Sequence, residues 1–304
     1  MTSLDKSMSQ PAAIAVDTVP RNDVRRGDMT DRTAAISRMA AMAQPILSAL
    51  SSKLPGLVVV GAVLILWQLV SVLGLVDRAF LPPVTAVLVA WRRDVFQGDL
   101  MTYLDETLAH MMIGYAAAVA VGLTLGVLMG RSRLFYRLIE PLIELTRPVP
   151  VPAFIPLLIL FVGIEGSLKV VVVFIGAVFP IVLSTYAGVT SVPQTMRETA
   201  QTFGLSHWQT VKEIVIPNAA PIISVGLRTS LAISLIVATV AEMISGTGGI
   251  GYYILQAEQA LRVPSIYAGI LTLAIVGYAL NLLFLSIDRL VLHWHISVRD
   301  QAIH

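Results

Sequence analysis

Six mostly apolar stretches, each of about twenty residues, dominate this chain. They lie at roughly 56–75, 110–130, 140–163, 169–189, 222–244 and 267–289. Stretches of that length match the thickness of a bilayer core, where the backbone must satisfy its own hydrogen bonds, so each is predicted to be helical. The balance of residues agrees. Only 13% of the 304 residues are charged and 56% are hydrophobic, whereas a soluble domain carries about 25% charged residues. The predicted fold class is an all-α integral membrane protein with about six transmembrane helices. With no cysteine in the chain, disulfide frameworks, thiolate metal sites and cysteine nucleophiles are excluded.

Lys and Arg in the short flanks orient the spans. With the N-terminus inside, the cytoplasmic flanks hold Lys53, Arg131, Arg133, Arg137, Arg147, Arg197, Lys212, Arg289 and Arg299. The outer flanks hold only Arg78, Arg92, Arg93, Lys169 and Arg262. An even number of spans returns the C-terminus to the cytoplasm. Before the spans, residues 1–28 read as disordered and 31–50 as an amphipathic helix on the cytoplasmic face. The first fifty residues are not a secretory signal, being polar and mixed in charge. Outside, LPPVTAVLVAWRRDVFQ (81–97) is too short to span and is predicted to form a helix at or beyond the bilayer surface. The third span is unusual, because Pro148, Pro150, Pro152 and Pro156 crowd its first half. Proline removes helix hydrogen bonds, and such breaks survive in a membrane where protein or a watery cavity covers them. This span either lines a pathway or is kinked for packing.

Between the fourth and fifth spans lies a polar island, ETAQTFGLSHWQTVKEIVIPNAAP (198–221), on the cytoplasmic side by the charge rule. Gly204 interrupts its first helix, since glycine permits the left-handed conformation that ends one. Ser206 and Gln209 have capping-box spacing for a second helix. Leu205, Trp208, Val211 and Val215 fall on one face of it, and Pro217 closes the unit. So short a helix is marginal alone, which implies that its apolar side rests on the membrane domain.

The spacing Glu198-Thr199-Ala200, three residues, Gly204, nine residues, Ile214, one residue, Ile216-Pro217 resembles the EAA loop of binding-protein-dependent ABC transporter permeases. Thr199 stands where that motif usually has alanine, and Ile216 where it usually has leucine. The resemblance covers 104–290 and includes a stripe of small residues, Gly114, Ala118, Gly122 and Gly126, that lets helices approach closely. PLIELTRPVPVPAFIPLLILFVGI (141–164) and AEMISGTGGIGYYI (241–254) are similar to the nitrate, sulfonate and taurine branch. The resemblance implies a type I importer permease fold with Glu198, Thr199, Ala200, Gly204, Ile214 and Pro217 coupling to a separate ATPase. It implies cytoplasmic ABC ATPase subunits, an extracytoplasmic solute-binding protein and a second permease copy as partners. It also implies residence in a bacterial inner membrane, transport of a small anion, and no cofactor. The expected domains are a cytoplasmic segment 1–52, a first span with its outside segment 53–103, the permease domain 104–290 and a cytoplasmic tail 291–304. An ion-coupled secondary transporter is the alternative, although internal repeats and mid-membrane charge clusters are not evident.

GTGGIG (246–251) fits a dinucleotide fingerprint only in letters, because it follows a span instead of a strand in a soluble βαβ unit. It is predicted to be a tightly turned loop. No G-x-x-x-x-G-K-[ST] occurs, so ATP is expected to be hydrolysed by another polypeptide. Glu242 is a gate or pathway candidate as a carboxylate near the outer end of a span, unless it simply reaches water at the interface. Arg228 is expected to snorkel toward the headgroups. Ser230, Ser234, Thr239, Tyr278 and Asn281 either line a pathway or bond between helices. His293 and His295 have no third ligand nearby, so metal is not expected. No nucleophile–base constellation points to an enzyme.

Overall fold

A computed structural model describes residues 55–56 and 58–292. The expectations for 1–28, 31–50 and the His293/His295 tail fall outside the described residues. The chain divides into two units at Leu66/Trp67, and the packing described below is that of the second.

Every regular element among the described residues is helical. They are α1 (Val58–Val72), α2 (Val84–Phe96), α3 (Leu100–Arg131), α4 (Arg133–Thr146), α5 (Ile155–Val162), α6 (Gly166–Thr190), α7 (Gln194–Thr202), α8 (His207–Ser245), α9 (Ile250–Gln259) and α10 (Val263–Val291). Four of these, α3, α6, α8 and α10, are long and apolar enough to cross a membrane. Against the expectation of about six spans, the described residues give four or five. Among the described residues α1 runs unbroken only over Val58–Val72, short of the 18 residues that would qualify it. Its end is set by Gly74 (φ +70°), after which the Leu75 amide reaches back to the Val70 carbonyl at 3.2 Å, a closure that terminates helices. The predicted span 140–163 is not one helix. It starts at Arg133 and bends by 90° between α4 and the Val151–Val162 segment, giving a fifth span only if the pair counts as one. Pro148 and Pro150 occupy the break, where neither can donate to a helix.

α6 is the central helix, packed against α3 on one side and α8 on another. On α3, Gly114, Ala118, Gly122 and Gly126 are all buried. A Cβ at Gly122 would lie 2.7 Å from Ile181 and one at Gly130 2.5 Å from Val189. The missing side chains set the separation of the two helices. On the α8 side, a Cβ at Gly226 would lie 2.3 Å from Ser184, and the Ser230 hydroxyl donates to the Ala177 carbonyl at 3.0 Å. Dispersion from such close backbone approach holds helices together where lipid removes the hydrophobic drive.

α2 is not a span. It begins after Pro83, which takes the N-cap position with extended backbone, as the LPP signal predicts. It is tied to the bundle by polar contacts. Trp91 Nε1 donates to Thr272 Oγ1 at 3.0 Å, Arg93 to Ser265 Oγ at 3.2 Å, and Tyr253 Oη to Asp94 Oδ2 at 2.5 Å. Arg93 also pairs with Asp94 at 2.8 Å. Burial pushes the Asp94 carboxyl up, but the hydrogen bonds from Arg93, Tyr253 and Ser265, with the Arg93 charge, hold it below its ordinary value. The sign follows from linkage. Because the folded value is depressed, this contribution is complete above the ordinary carboxylate range and is lost as pH falls through the depressed value. Thermal unfolding in mild detergent should therefore show an acid-side loss of stability that Asp94→Asn diminishes. An identical pH profile in that variant would contradict the tie.

Candidate functional site

The island forms two helices around a glycine turn. α7 runs to Thr202. Gly204 takes φ +72°, and the Leu205 amide bonds the Ala200 carbonyl at 3.0 Å. No atom lies within 4 Å of a Cβ built at Gly204, so conformation rather than space asks for glycine there. The capping box is present in both directions. The Ser206 amide donates to Gln209 Oε1 at 2.9 Å, and the Gln209 amide donates to Ser206 Oγ at 3.3 Å.

Two expectations about the second helix are corrected. Pro217 does not close it. α8 continues from His207 to Ser245, because Thr210–Val215 is a π turn. Its amides reach five residues back, as Ile216 does to Val211, and the wider turn makes room for a residue that cannot donate. Trp208 does not share the packed face either: it is 72% exposed, while Val211 and Val215 are buried. The π turn holds about one extra residue, which rotates everything upstream by roughly 100° about the axis.

The named island residues therefore separate. Ala200 is 1% exposed, and Ile214 packs on the apolar cluster of Val189, Val192, Val215, Ala219 and Ile223. Pro217 is half-buried, and Glu198 and Thr199 are exposed. Gln194 donates to Glu198 at 2.9 Å, and both border an open recess of about 560 Å³. Phe203, 79% exposed, joins Trp208 on the outward side. The unit has a seated face and a free face with two bare aromatics.

At the other end of α8, Glu242 is 0% exposed, which overturns the interfacial reading. One carboxylate oxygen accepts from the Thr107 hydroxyl at 3.0 Å and from the Gly251 amide at 2.9 Å, and the Ile250 amide donates to Thr107 Oγ1 at 2.9 Å. A carboxylate suits the first turn of α9, where amides lack helix partners. The GTGGIG loop wraps this group. Gly246, Gly248 and Gly249 all have positive φ, and a Cβ at Gly249 would lie 2.1 Å from the Glu242 carboxyl. Lys169, only 3% exposed, donates to the Gly248 carbonyl at 3.0 Å, so it is part of this lock and not a solvated flank.

The four prolines are not gathered into one wall. Pro148 and Pro150 sit in the 90° break, Pro152 in a 3-10 turn and Pro156 in the first turn of α5. Of the four, Pro150 borders a recess of about 430 Å³ with Phe154, Phe179 and Ile233. Arg228 is exposed and donates through Nε to Asn281 at 2.8 Å. Ser230 and Ser234 are buried and bonded to carbonyls. Sequence reasoning missed the roles of Thr107 and Lys169 beside Glu242. Lys169, a lysine inside an apolar run, was the available signal; Thr107 gave none.

Residues 119–294 match the family of binding-protein-dependent transport system inner membrane components. The chain belongs to this family. The permease is 32% identical over 241 residues to the taurine transport system permease protein TauC of Escherichia coli (strain K12), covering 78% of this chain and 88% of that one. It is 31% identical over 185 residues to the nitrate import permease protein NrtB of Synechocystis sp. (strain ATCC 27184 / PCC 6803 / Kazusa), covering 61% and 67%. Among solved structures, a chain of the MetNI methionine ABC transporter in an inward-facing conformation superposes with TM-score 0.58 at 20% identity, covering 63% of this chain and 95% of that one. That likeness concerns the fold. The permease is thus a multi-pass membrane subunit of an ABC importer, not itself catalytic, and the binding-protein-dependent system implies an ATPase and a binding protein. Family membership decides against the ion-coupled alternative.

Proposed function

We propose that the permease carries a small anion, such as nitrate, an alkanesulfonate or taurine, across a bacterial inner membrane. Two copies pair around the pathway, with N- and C-termini in the cytoplasm and residues 104–290 forming the permease domain. An extracytoplasmic binding protein delivers the solute to the GTGGIG end, and the island at the opposite end docks on the ATPase. The single observation that carries this reading is the two-faced island. Ala200, Ile214 and Val215 turn inward, while Glu198, Phe203 and Trp208 stand free. The continuity of α8 supplies the mechanics. A displacement of His207–Gln209 is transmitted along one helix to Glu242 and the loop it holds, as rigid-body switching requires. Pro148, Pro150, Pro152 and Pro156 give the neighbouring broken span a hinge.

Gly204→Asp tests the coupling role. The variant should insert normally, yet lose most uptake and the response of ATPase activity to the binding protein when reconstituted with both partners. The side chain strains the turn and places a charge on the free face. Full uptake by a well-inserted variant would refute the coupling role.

A further inference from the structure

We infer that Arg228 and Asn281 form a binding site, inside the spans, for a small singly charged oxyanion bearing an apolar tail. Arg228 lies about 9 Å along the α8 axis from Ile222, at 1.5 Å per residue, one to two turns inside the cytoplasmic end of the 222–244 apolar stretch. A guanidinium within an apolar stretch faces the bundle or a cavity where it can recognise an ion. Its Nε donates to Asn281 Oδ1 at 2.8 Å, and among the described residues no carboxylate pairs with it. A guanidinium has five N–H donors, so this one bond clamps the fork and leaves both terminal nitrogens available. Asn281, accepting through oxygen, has its amide NH₂ left as a third donor group.

Both residues line a cavity of about 250 Å³ between α8 and α10, whose other walls include Leu231, Leu235, Ile236 and Leu280. A planar fork pairs bidentately with the oxygens of a sulfonate, nitrate or carboxylate. The leucine and isoleucine walls take up an alkyl tail and offer a strongly hydrated dianion nothing. Asp288, the acidic group on the same stretch of α10, accepts from the Ser224 hydroxyl and makes no ion pair with the arginine. The site rests on the proposed import of small anions only for the source of its ligand. A lipid headgroup phosphate offers the same oxyanion chemistry.

The test uses the full chain in nanodiscs of phosphatidylcholine, or of phosphatidylcholine with phosphatidylglycerol, and radiolabelled butane-1-sulfonate as probe. Wild type should bind saturably, with nitrate competing and tetrabutylammonium not. Arg228→Gln should weaken binding about 10- to 100-fold, the effect of losing a charged hydrogen-bonding partner. Arg228→Lys should fall between the two, since charge remains but the fork is lost. Asn281→Leu weakens binding through the other helix and stands in for Arg228→Gln should that variant not fold. Equal binding in both lipids identifies a free solute as the ligand. Arg228-dependent displacement by phosphatidylglycerol identifies a headgroup at the same oxyanion site. Probe binding that is absent in both lipids, or unchanged in Arg228→Gln and Asn281→Leu, overturns the inference. Coupling through Gly204 is measured separately, so failure of either result leaves the other standing.

Discussion

Gly126→Leu should separate α3 from α6 and leave the permease unable to hold its native packing. A Cβ at Gly126 would lie 2.4 Å from the Thr185 Cβ and 2.8 Å from the Val182 carbonyl oxygen. Neither is the loose end of a flexible side chain, so the helices themselves must move apart. Even Gly126→Ala should cost about 1–3 kcal/mol, the usual range for overpacking, and leucine more. The displacement would spread, because Gly122 and Gly130 sit at neighbouring turns of the same seam. Chemical unfolding in mild detergent, followed by circular dichroism, measures the loss. Gly61→Ala is the control: nothing lies within 4 Å of its Cβ, and alanine improves helix propensity by about 0.5–1 kcal/mol. Thr185→Gly should recover part of the Gly126→Ala loss, as coupled neighbours do. Wild-type stability in Gly126→Leu would show that the seam does not set the helix separation.

Glu242→Ala should release the GTGGIG loop from the end of α8. The substitution strands the Gly251 amide, now bonded to a carboxylate oxygen, leaves the Thr107 hydroxyl only the Tyr103 carbonyl to donate to, and empties a volume that is fully buried. A stranded amide and a void together cost about 2–5 kcal/mol. The loss should be local at first, because the same carboxylate caps the first turn of α9. Hydrogen exchange at the Ile250 and Gly251 amides should accelerate more than at amides within α3 and α6. Glu242→Gln keeps an acceptor and should fall between wild type and alanine. Unchanged protection at Gly251 in Glu242→Ala would mean that the glycines hold the loop unaided.

These two sites differ in how far a linear reading reaches them. The Gly114–Gly126 stripe is visible in the sequence because helix periodicity places every fourth residue on one face. Close packing follows from the size of those residues alone. Glu242 is visible only as an oddity. Its partner Thr107 lies on another helix, 135 positions away, and no local pattern announces that meeting. The island shows both cases within a few residues. Its capping box and glycine turn are local hydrogen-bond chemistry, and Ser206, Gln209 and Gly204 behave as their types dictate. The face of Trp208 is not local, because one π turn at Thr210–Val215 rotates it away from Val211 and Val215.

By itself the sequence determined the all-helical membrane class, the long apolar spans, the polar island and the family resemblance. Each depends on composition and periodicity over short distances, where backbone geometry leaves little choice. Tertiary structure alone decided that the proline-rich segment bends by 90° instead of crossing straight, and that α8 passes unbroken through Pro217. It alone joined Arg228 to Asn281 and buried Glu242 beneath a glycine loop. Angles at a break, the winding of a strained turn and pairings between distant helices arise from three-dimensional packing, which sequence distance does not encode.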